Sequence, residues 1–469
     1  MADLFSLLVQ SGNSLGAHSA ALAVAGNNVA NANTPGYSRQ IANLVANPAV
    51  SSLGSGAVGT GVSLSDITQA RDQFVERQMP VALGSQAQSQ AESDALTALT
   101  ALNPDLQGGL STTLGAFYSS LQTWSQNPGD LSLRQSVLGS AQSLATSFNQ
   151  TASSISAARS GLDSAITGKI SEVNAAAQSL ANLNIQVEVA RSSGGSANDV
   201  LDARQQAVDT LASLTGATPY TNAAGDISMA LPGGTALVVD GHAGSFSAVP
   251  DAANGGLLKL QLTRADGSGP SDWNGSSLGG TLGGMFVARD GALKTAADSV
   301  DSLSFDLANS LNTVQQAGFA MDGTAGQALF TVPATSSGAA AQMSVNAALA
   351  GNARLLAAAG TTPAASGDNS NVLAMLATQS QVLAGGSNPV STVQQITTAF
   401  GNSSAQATAL AAHDGALTSH LQSLRDATSG VSIDEEMINL TKAQKAYEAV
   451  SKVIATANAM LETLLSIGT

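Results

Sequence analysis

The stretch SIDEEMINLTKAQKAYEAVSKVIATANAMLETLL at 432–465 decides the fold. Ser432 with Glu435 three residues later reads as a capping box, and Asp434 and Glu436 place negative charge where a helix dipole favours it. Leu440, Ala443, Tyr447, Val450, Ile454, Ala457, Leu461 and Leu464 then step by three and four without a miss. That is the stripe of a long helix that packs along another helix. On the same helix, Glu448 and Lys452 stand four apart as an ion pair, with Lys442 and Lys445 nearby. The acidic run 434–436 is read as helix-start electrostatics and not as an acid site.

The matching stripe lies at the other end of the chain. Leu8, Leu15, Leu22 and Val29 recur every seventh residue, and Leu4, Ser11, His18 and Ala25 fill the alternate positions. The second set is weakly apolar, and Gly12 and Gly16 each lower helix propensity by about 1 kcal/mol relative to Ala. Neither terminal helix is expected to be stable alone. Neither can bury its stripe alone, so each needs a partner along it. The first helix should stop before Asn33-Thr34-Pro35-Gly36, because a residue preceding proline avoids the helical region.

Between the ends, 46–61 reads as loop and extended chain, and 62–67 as a half-buried strand. Residues 69–214 read as long helices, including 131–155 and 162–189, with breaks expected at Pro80, Asn103-Pro104, 127–130 and 193–195. From 217 to 273 the pattern alternates between turns, at 227–231, 235–239 and 258–262, with a hairpin signal at Asp240-Gly241. Helix returns over 282–319 and 372–424, with an irregular part and one strand near 341–345 between them. The fold class is therefore mainly α with a small β insertion, in an elongated, multi-domain arrangement. Three units are expected: 1–61 with 428–469 as a terminal coiled-coil domain, 62–216 with 282–427 as a helical middle, and 217–281 as a β-rich insertion.

Composition narrows the function. The chain has 469 residues and a formal charge of −15, only 10% charged and 3% aromatic residues, and no cysteine. An acidic chain repels nucleic-acid phosphates and anionic lipid, so neither is expected as a partner. Without cysteine there is no disulfide, thiolate or zinc–thiolate chemistry. No apolar run is long enough to span a bilayer. Residues 4–9 are apolar but short, follow Asp3, and lack a cleavage signal, so no cleaved leader is expected. Cores of Ala, Leu and Val favour long, closely packed helices.

Motifs that suggest chemistry fail on context. Gly54-Ser55-Gly56-Ala57-Val58-Gly59 matches the dinucleotide fingerprint, but strand-like residues follow where a helix must open. Gly12-Asn13-Ser14-Leu15-Gly16 matches a nucleophile elbow, yet it lies inside a heptad helix. His413 and His420 are seven apart, too far for a helical metal pair, and no third ligand is evident. No catalytic residue, cofactor site or metal site is expected.

The run AGNNVANANTPGYSRQ at 25–40 resembles the N-terminal signature of bacterial flagellar axial proteins. Its Tyr37-Ser38-Arg39-Gln40 ending resembles the hook-associated branch of that family. Further blocks agree in order, among them Leu110-Ser111-Thr112-Thr113-Leu114, Trp124, Asn127-Pro128, Arg134-Gln135-Ser136-Val137-Leu138, Gly283-Gly284 with Arg289-Asp290, Asp322-Gly323, 367–371 and 430–437. The resemblance implies a structural, non-enzymatic protein, exported unfolded through the flagellar type III apparatus without a cleaved signal peptide. It would be extracellular, in the flagellum, as a homo-oligomeric ring between hook and filament. The implied partners are the hook protein, the second junction protein and a cytosolic export chaperone at about 432–465. Leu8, Leu15, Leu22, Asn28, Val29, Asn31, Tyr37, Leu440, Tyr447, Ile454, Leu461 and Leu464 are the expected assembly residues. The alternatives are another axial protein (hook, rod or flagellin-like) and, in a different class, a secreted adhesin or hydrolase carrying the β insertion.

Overall fold

The computed structural model describes residues 2–52, 56–102, 109–193, 196–222, 225–362 and 367–467. The N-terminal helix α1 (Ala2–Ala30) ends where the Asn-Pro-Gly run begins. It is followed by β1 (Gln40–Ala46), β2 (Val50–Ser52), β3 (Gly56–Val58) and β4 (Val62–Gln69). Strand β1 pairs antiparallel with β4 from Gln40↔Gln69 to Ala46↔Val62, and β2 with β3 forms a small hairpin between them.

Four helices come next: α2 (Gln73–Leu102), α3 (Gly109–Gln126), α4 (Leu131–Ser192) and α5 (Asn198–Thr215). Asp130 caps α4, its carboxylate accepting from the amides of Ser132 at 2.7 Å and Leu133 at 3.3 Å. One expected break is absent. Pro80 lies inside α2, because Met79 and Ala82 beside it are buried with Leu421 and that packing outweighs one lost hydrogen bond. The expected helical segments 131–155 and 162–189 are parts of one helix, so α4 runs 62 residues, about 93 Å at 1.5 Å per residue. The expected breaks at Asn103-Pro104 and Gly194-Gly195 lie outside the described residues.

The β-rich stretch has two sheets. Strands β5 (Thr218–Thr221), β6 (Ile227–Ala230), β7 (Ala236–Val239) and β8 (His242–Ala243) form one, in sequence order. Strands β9 (Ser245–Pro250), β10 (Leu258–Thr263) and β11 (Ser271–Trp273) form the other, with β10 central. The Asp240-Gly241 turn joins β7 to β8, with Asp240 at φ 51°. Helix α6 (Gly280–Val287) passes through a π-turn at Ala288–Ala292 into α7 (Leu293–Ala317). A loop region holds β12 (Phe330–Thr331), α8 (Ala339–Gln342), β13 (Ser344–Val345), α9 (Ala347–Gly351) and α10 (Ser370–Ala377). The chain closes with α11 (Pro389–Ser429) and α12 (Ile433–Ile467).

Two cores result. The first joins Leu114, Phe117, Leu121 and Trp124 of α3 to Val137, Leu144 and Phe148 of α4, Leu303 and Leu307 of α7, and Phe400 of α11. The second joins Ile166, Val173 and Leu180 of α4 to Val208 and Leu211 of α5, Met229, Leu237, Val238, Leu260 and Leu262 of the sheets, and Leu282 and Phe286 of α6. The β-rich stretch therefore has no core of its own, because short two-sided strands bury their inner faces only against α4, α5 and α6.

The cores meet at a polar waist. Arg289 of the π-turn is buried and donates to Asp163 of α4, to both oxygens of Asp290, and to the Leu258 carbonyl at 2.8 Å. Its guanidinium lies 4.6 Å over the Phe286 ring. Arg159 of α4 donates to the Arg289 carbonyl at 3.0 Å, supplying a partner where the π-turn disturbs the helical ladder.

Candidate functional site

The two ends of the chain meet, and the joint is built around Asn28. This side chain is fully buried and all its capacities are used. Its Nδ2 donates to the Gln40 carbonyl at 2.9 Å and to Glu436 Oε2 at 3.0 Å. Its Oδ1 accepts from the Tyr37 hydroxyl at 2.7 Å and the Gln40 amide at 2.9 Å. Glu436, itself buried, also accepts from Arg39 Nε at 2.9 Å, and Arg39 reaches the exposed Glu435 at 3.2 Å. Arg39 is tied by its backbone too, its amide donating to the Ser429 carbonyl at 2.9 Å.

A second set of bonds fixes this elbow to the body. The Ser38 amide donates to Asp202 of α5 at 3.2 Å, and Arg71 pairs with the same carboxylate at 2.6 Å. Gln206 donates to the Pro35 carbonyl at 2.9 Å. Gly36 has φ +75° and lies against the Gln206 side chain, so neither its backbone nor its space admits a larger residue. Arg425, near the end of α11, holds Glu76 of α2 at 2.6 Å and Asp209 of α5 at 2.8 Å. Burial pushes the Asp209 carboxyl up against the opposing pull of Arg425. Burial, then the charges of Asp202 and Glu436, push the Tyr37 phenol up to about 12, so it stays a donor to Asn28.

Beyond the elbow α1 and α12 pack together, and α1 also lies on the β1–β4 ribbon. Having two neighbours changes which residues of α1 are buried. Ser11, Ser14, Ala17, Val24, Ala25 and Asn28 are buried, whereas the expected seam residues Leu8, Leu15, Leu22 and Val29 are half-buried. Small Ser and Ala on the buried line let the ribbon approach. The Val62 amide donates to Ser14 Oγ at 3.3 Å, and Gly61 at φ +87° sits where a Cβ would meet that oxygen. On α12, Ala443 and Ala457 are buried, Leu440, Val450, Ile454 and Leu461 are half-buried, and Tyr447 and Leu464 are exposed. The heptad spacing located the stripe but overstated how deeply its large residues sink. Asn31 bonds locally, to Asn27 at 2.7 Å and Thr34 at 3.2 Å, and not across the joint.

The outer faces stay uncovered. Phe5, Leu7 and Val9 of α1 and Met437, Ile438, Val453, Met460, Leu464 and Leu465 of α12 are exposed. Scattered exposed apolar residues are ordinary, but a contiguous patch marks an interaction surface.

Sequence reasoning missed Glu436 as the acceptor at the centre of the joint, because its place in the first turn of α12 already had a sufficient local explanation. The signal that could have found it was the run of buried-capable donors at 28–40 with no acid of its own. The capping box is half-formed. The Glu435 amide lies 3.5 Å from Ser432 Oγ, while the Glu435 carboxylate turns to Arg39. Of the fingerprint glycines, Gly54 and Ser55 lie outside the described residues, and Gly56–Val58 is a strand. The elbow-like Gly12–Gly16 run is helical, and His413 and His420 are exposed on α11. Among the described residues no cluster of His, Asp and Glu could hold a metal, and no helix is long and apolar enough to cross a membrane.

Comparison with known proteins gives concordant matches. The model for the flagellar hook-associated protein FlgK helical domain matches residues 97–330. The flagellar basal body rod FlgEFG protein C-terminal model matches 425–467, and the flagella basal body rod protein model 11–37. The chain is 28% identical to flagellar hook-associated protein 1 of Salmonella typhimurium over 331 residues, 70% of this chain and 59% of that protein. It is 27% identical to flagellar hook-associated protein 1 of Bacillus subtilis over 503 aligned positions, 99% of each chain. The structure of the flagellar hook junction protein FlgK from Burkholderia pseudomallei superposes with a TM-score of 0.66 at 18% identity, covering 75% of this chain and all of that one.

Proposed function

This chain belongs to the flagellar hook-associated protein 1 family, and from that premise we propose that it is a structural subunit of the junction ring between hook and filament. The family is one of flagellar structural proteins, and no enzymatic role is assigned to this member. The observation that carries the proposal is the joint itself. It joins the paired terminal helices through Asn28, Arg39 and Glu436 and ties them to the body through Asp202, yet leaves an apolar outer face on both helices.

In this reading, neighbouring copies cover those outer faces, and the ring touches the hook protein on one side and the second junction protein on the other. Leu8, Leu15, Leu22, Val29, Leu440, Tyr447, Ile454, Leu461 and Leu464 contribute to that burial, and Asn28, Asn31 and Tyr37 shape the elbow that orients it. The domain division is proposed as 1–61 with 428–469 innermost, 62–216 with 282–427 next, and 217–281 outermost. Export proceeds unfolded and without a cleaved signal peptide, to the extracellular flagellum, with a cytosolic chaperone on about 432–465. An exposed apolar helix suits capture by such a chaperone before assembly.

The test is deletion of 434–469. The remaining chain is expected to stay folded by circular dichroism but to leave cells with hooks and no filaments under electron microscopy. Filament growth supported by the deleted chain would overturn the reading.

A further inference from the structure

We propose that copies of this chain meet with a stagger of about 30 Å along the terminal helices, Glu462 of one copy pairing with Lys442 of the next at the groove between α1, β1 and α12. The contact gives a register to the ring reading above and rests on that reading. The groove has a volume of about 400 Å³, with Ala21, Val24, Leu44, Ala443 and Ala446 among its walls. Three basic side chains line it, His18, Arg39 and Lys442, against one carboxylate, Glu436, which Arg39 already holds at 2.9 Å. Lys442 is exposed and makes no side-chain hydrogen bond or ion pair among the described residues.

The sequence at the other end of the helix pair has the opposite character. No lysine or arginine occurs in 1–17 or in 453–469, where the charged residues are Asp3 and Glu462. Glu462 is exposed and also without a side-chain partner among the described residues, and Leu465, one turn on, is 63% exposed. Two chains of charge −15 repel, so a close contact between copies needs a cation of one set against an acid of the other. The terminal pair carries both, one toward each end.

Within one copy these groups cannot meet. Lys442 and Glu462 stand twenty residues apart on the unbroken α12, about 30 Å along it and about 200° round it. Patches on nearly opposite sides of one helix are what a head-to-tail contact requires, because each copy offers one side to the next copy and the other side to the previous one. A two-fold dimer would instead bring one patch against itself. Lys452 is also exposed, but it lies outside the groove and ten residues nearer Glu462, so it would set a different register.

The chain has no cysteine, so introduced thiols are the only ones. Lys442→Cys and Glu462→Cys are combined in the full chain, and isolated flagella are treated with a short bis-maleimide that spans far less than their separation within one copy. The expected product is a ladder of covalent multimers beyond the dimer. Each single variant stops at the dimer, and Lys452→Cys with Glu462→Cys gives no ladder. His18→Cys with Glu462→Cys replaces the first pair should that variant not enter flagella. Should neither enter, charge reversal decides. Lys442→Glu and Glu462→Lys are each expected to lower the amount of chain in flagella by about fivefold, the upper end for an exposed ion pair, and the double reversal to restore it. A parent chain absent from flagella would overturn the ring reading and this proposal with it. A parent chain present in flagella, with no ladder from the paired thiols, an equal ladder from the Lys452 pair, or no restoration by the double reversal, would overturn this proposal alone.

Discussion

Asn28 has two donors and two acceptor sites in its side chain, and the joint uses all four. Replacing it by Asp keeps the shape but removes the donors and sets a carboxylate about 3 Å from Glu436. Asn28→Asp should weaken the joint by about 2 kcal/mol at pH 7, the scale of a hydrogen bond to a charged group. Hydrogen exchange of the α12 amides in the parent chain and the variant checks this. Tyr37 gives a test at the other end of the scale. Its phenol is held up at about 12 by burial, then by Asp202 and Glu436, against an unfolded value near 10. The unfolded chain therefore releases this proton first, so stability is full below pH 10 and falls between pH 10 and 12. Tyr118, also raised to about 12 by burial, shares the effect. Tyr37→Phe should remove part of the fall in melting temperature across that window. At this scale the sequence was least legible. The polar run at 25–40 was visible, but its partners Glu436 and Asp202 stand 408 and 164 residues away from the groups that bind them, and no local pattern encodes a pairing across such distances.

Helices and strands were far easier to read, because period and punctuation are local. The alternation at 227–231, 235–239 and 258–262, the stop before Asn33, and the terminal stripes all correspond to real elements. Pro80 misled because tertiary burial overrides a breaker that propensity alone would obey. Caps show the same limit. Asp130 accepts two bonds at the start of α4, one of them at 2.7 Å, whereas Ser432 makes one contact of 3.5 Å at the start of α12. Asp130→Ala should cost about 1 kcal/mol and Ser432→Ala less than about 0.5 kcal/mol in thermal unfolding. Gly284 is a third case. It lies against the Gln88 carbonyl of α2, so a side chain there must push α6 away. Gly284→Val should cost about 3 kcal/mol, the upper range of overpacking, and melting of the purified variant measures it.

At the scale of the molecule, the mainly α architecture and the meeting of the two termini followed from composition and heptads, but the partition into two cores did not. It depends on Arg289, Asp163 and Arg159, residues whose spacing announces nothing and whose burial becomes visible only when α4 and the π-turn cross. Arg289→Ala would leave Asp163 without its cation at the waist and Asp290 with only Arg159, 3.7 Å away, and removing one partner of a buried pair is costly. The expected outcome is that calorimetry, showing one coupled transition for the parent body, separates into two for the variant. Helix α4 has a further consequence. It crosses from one core to the other without a loop, so there is no slack along it. A twist applied at its Asp130 end is delivered to the sheets, which bond α4 as far along as Asn184, about 80 Å away, with the stiffness of a single rod, and the β-rich stretch must turn with the helical core like a key with its bow.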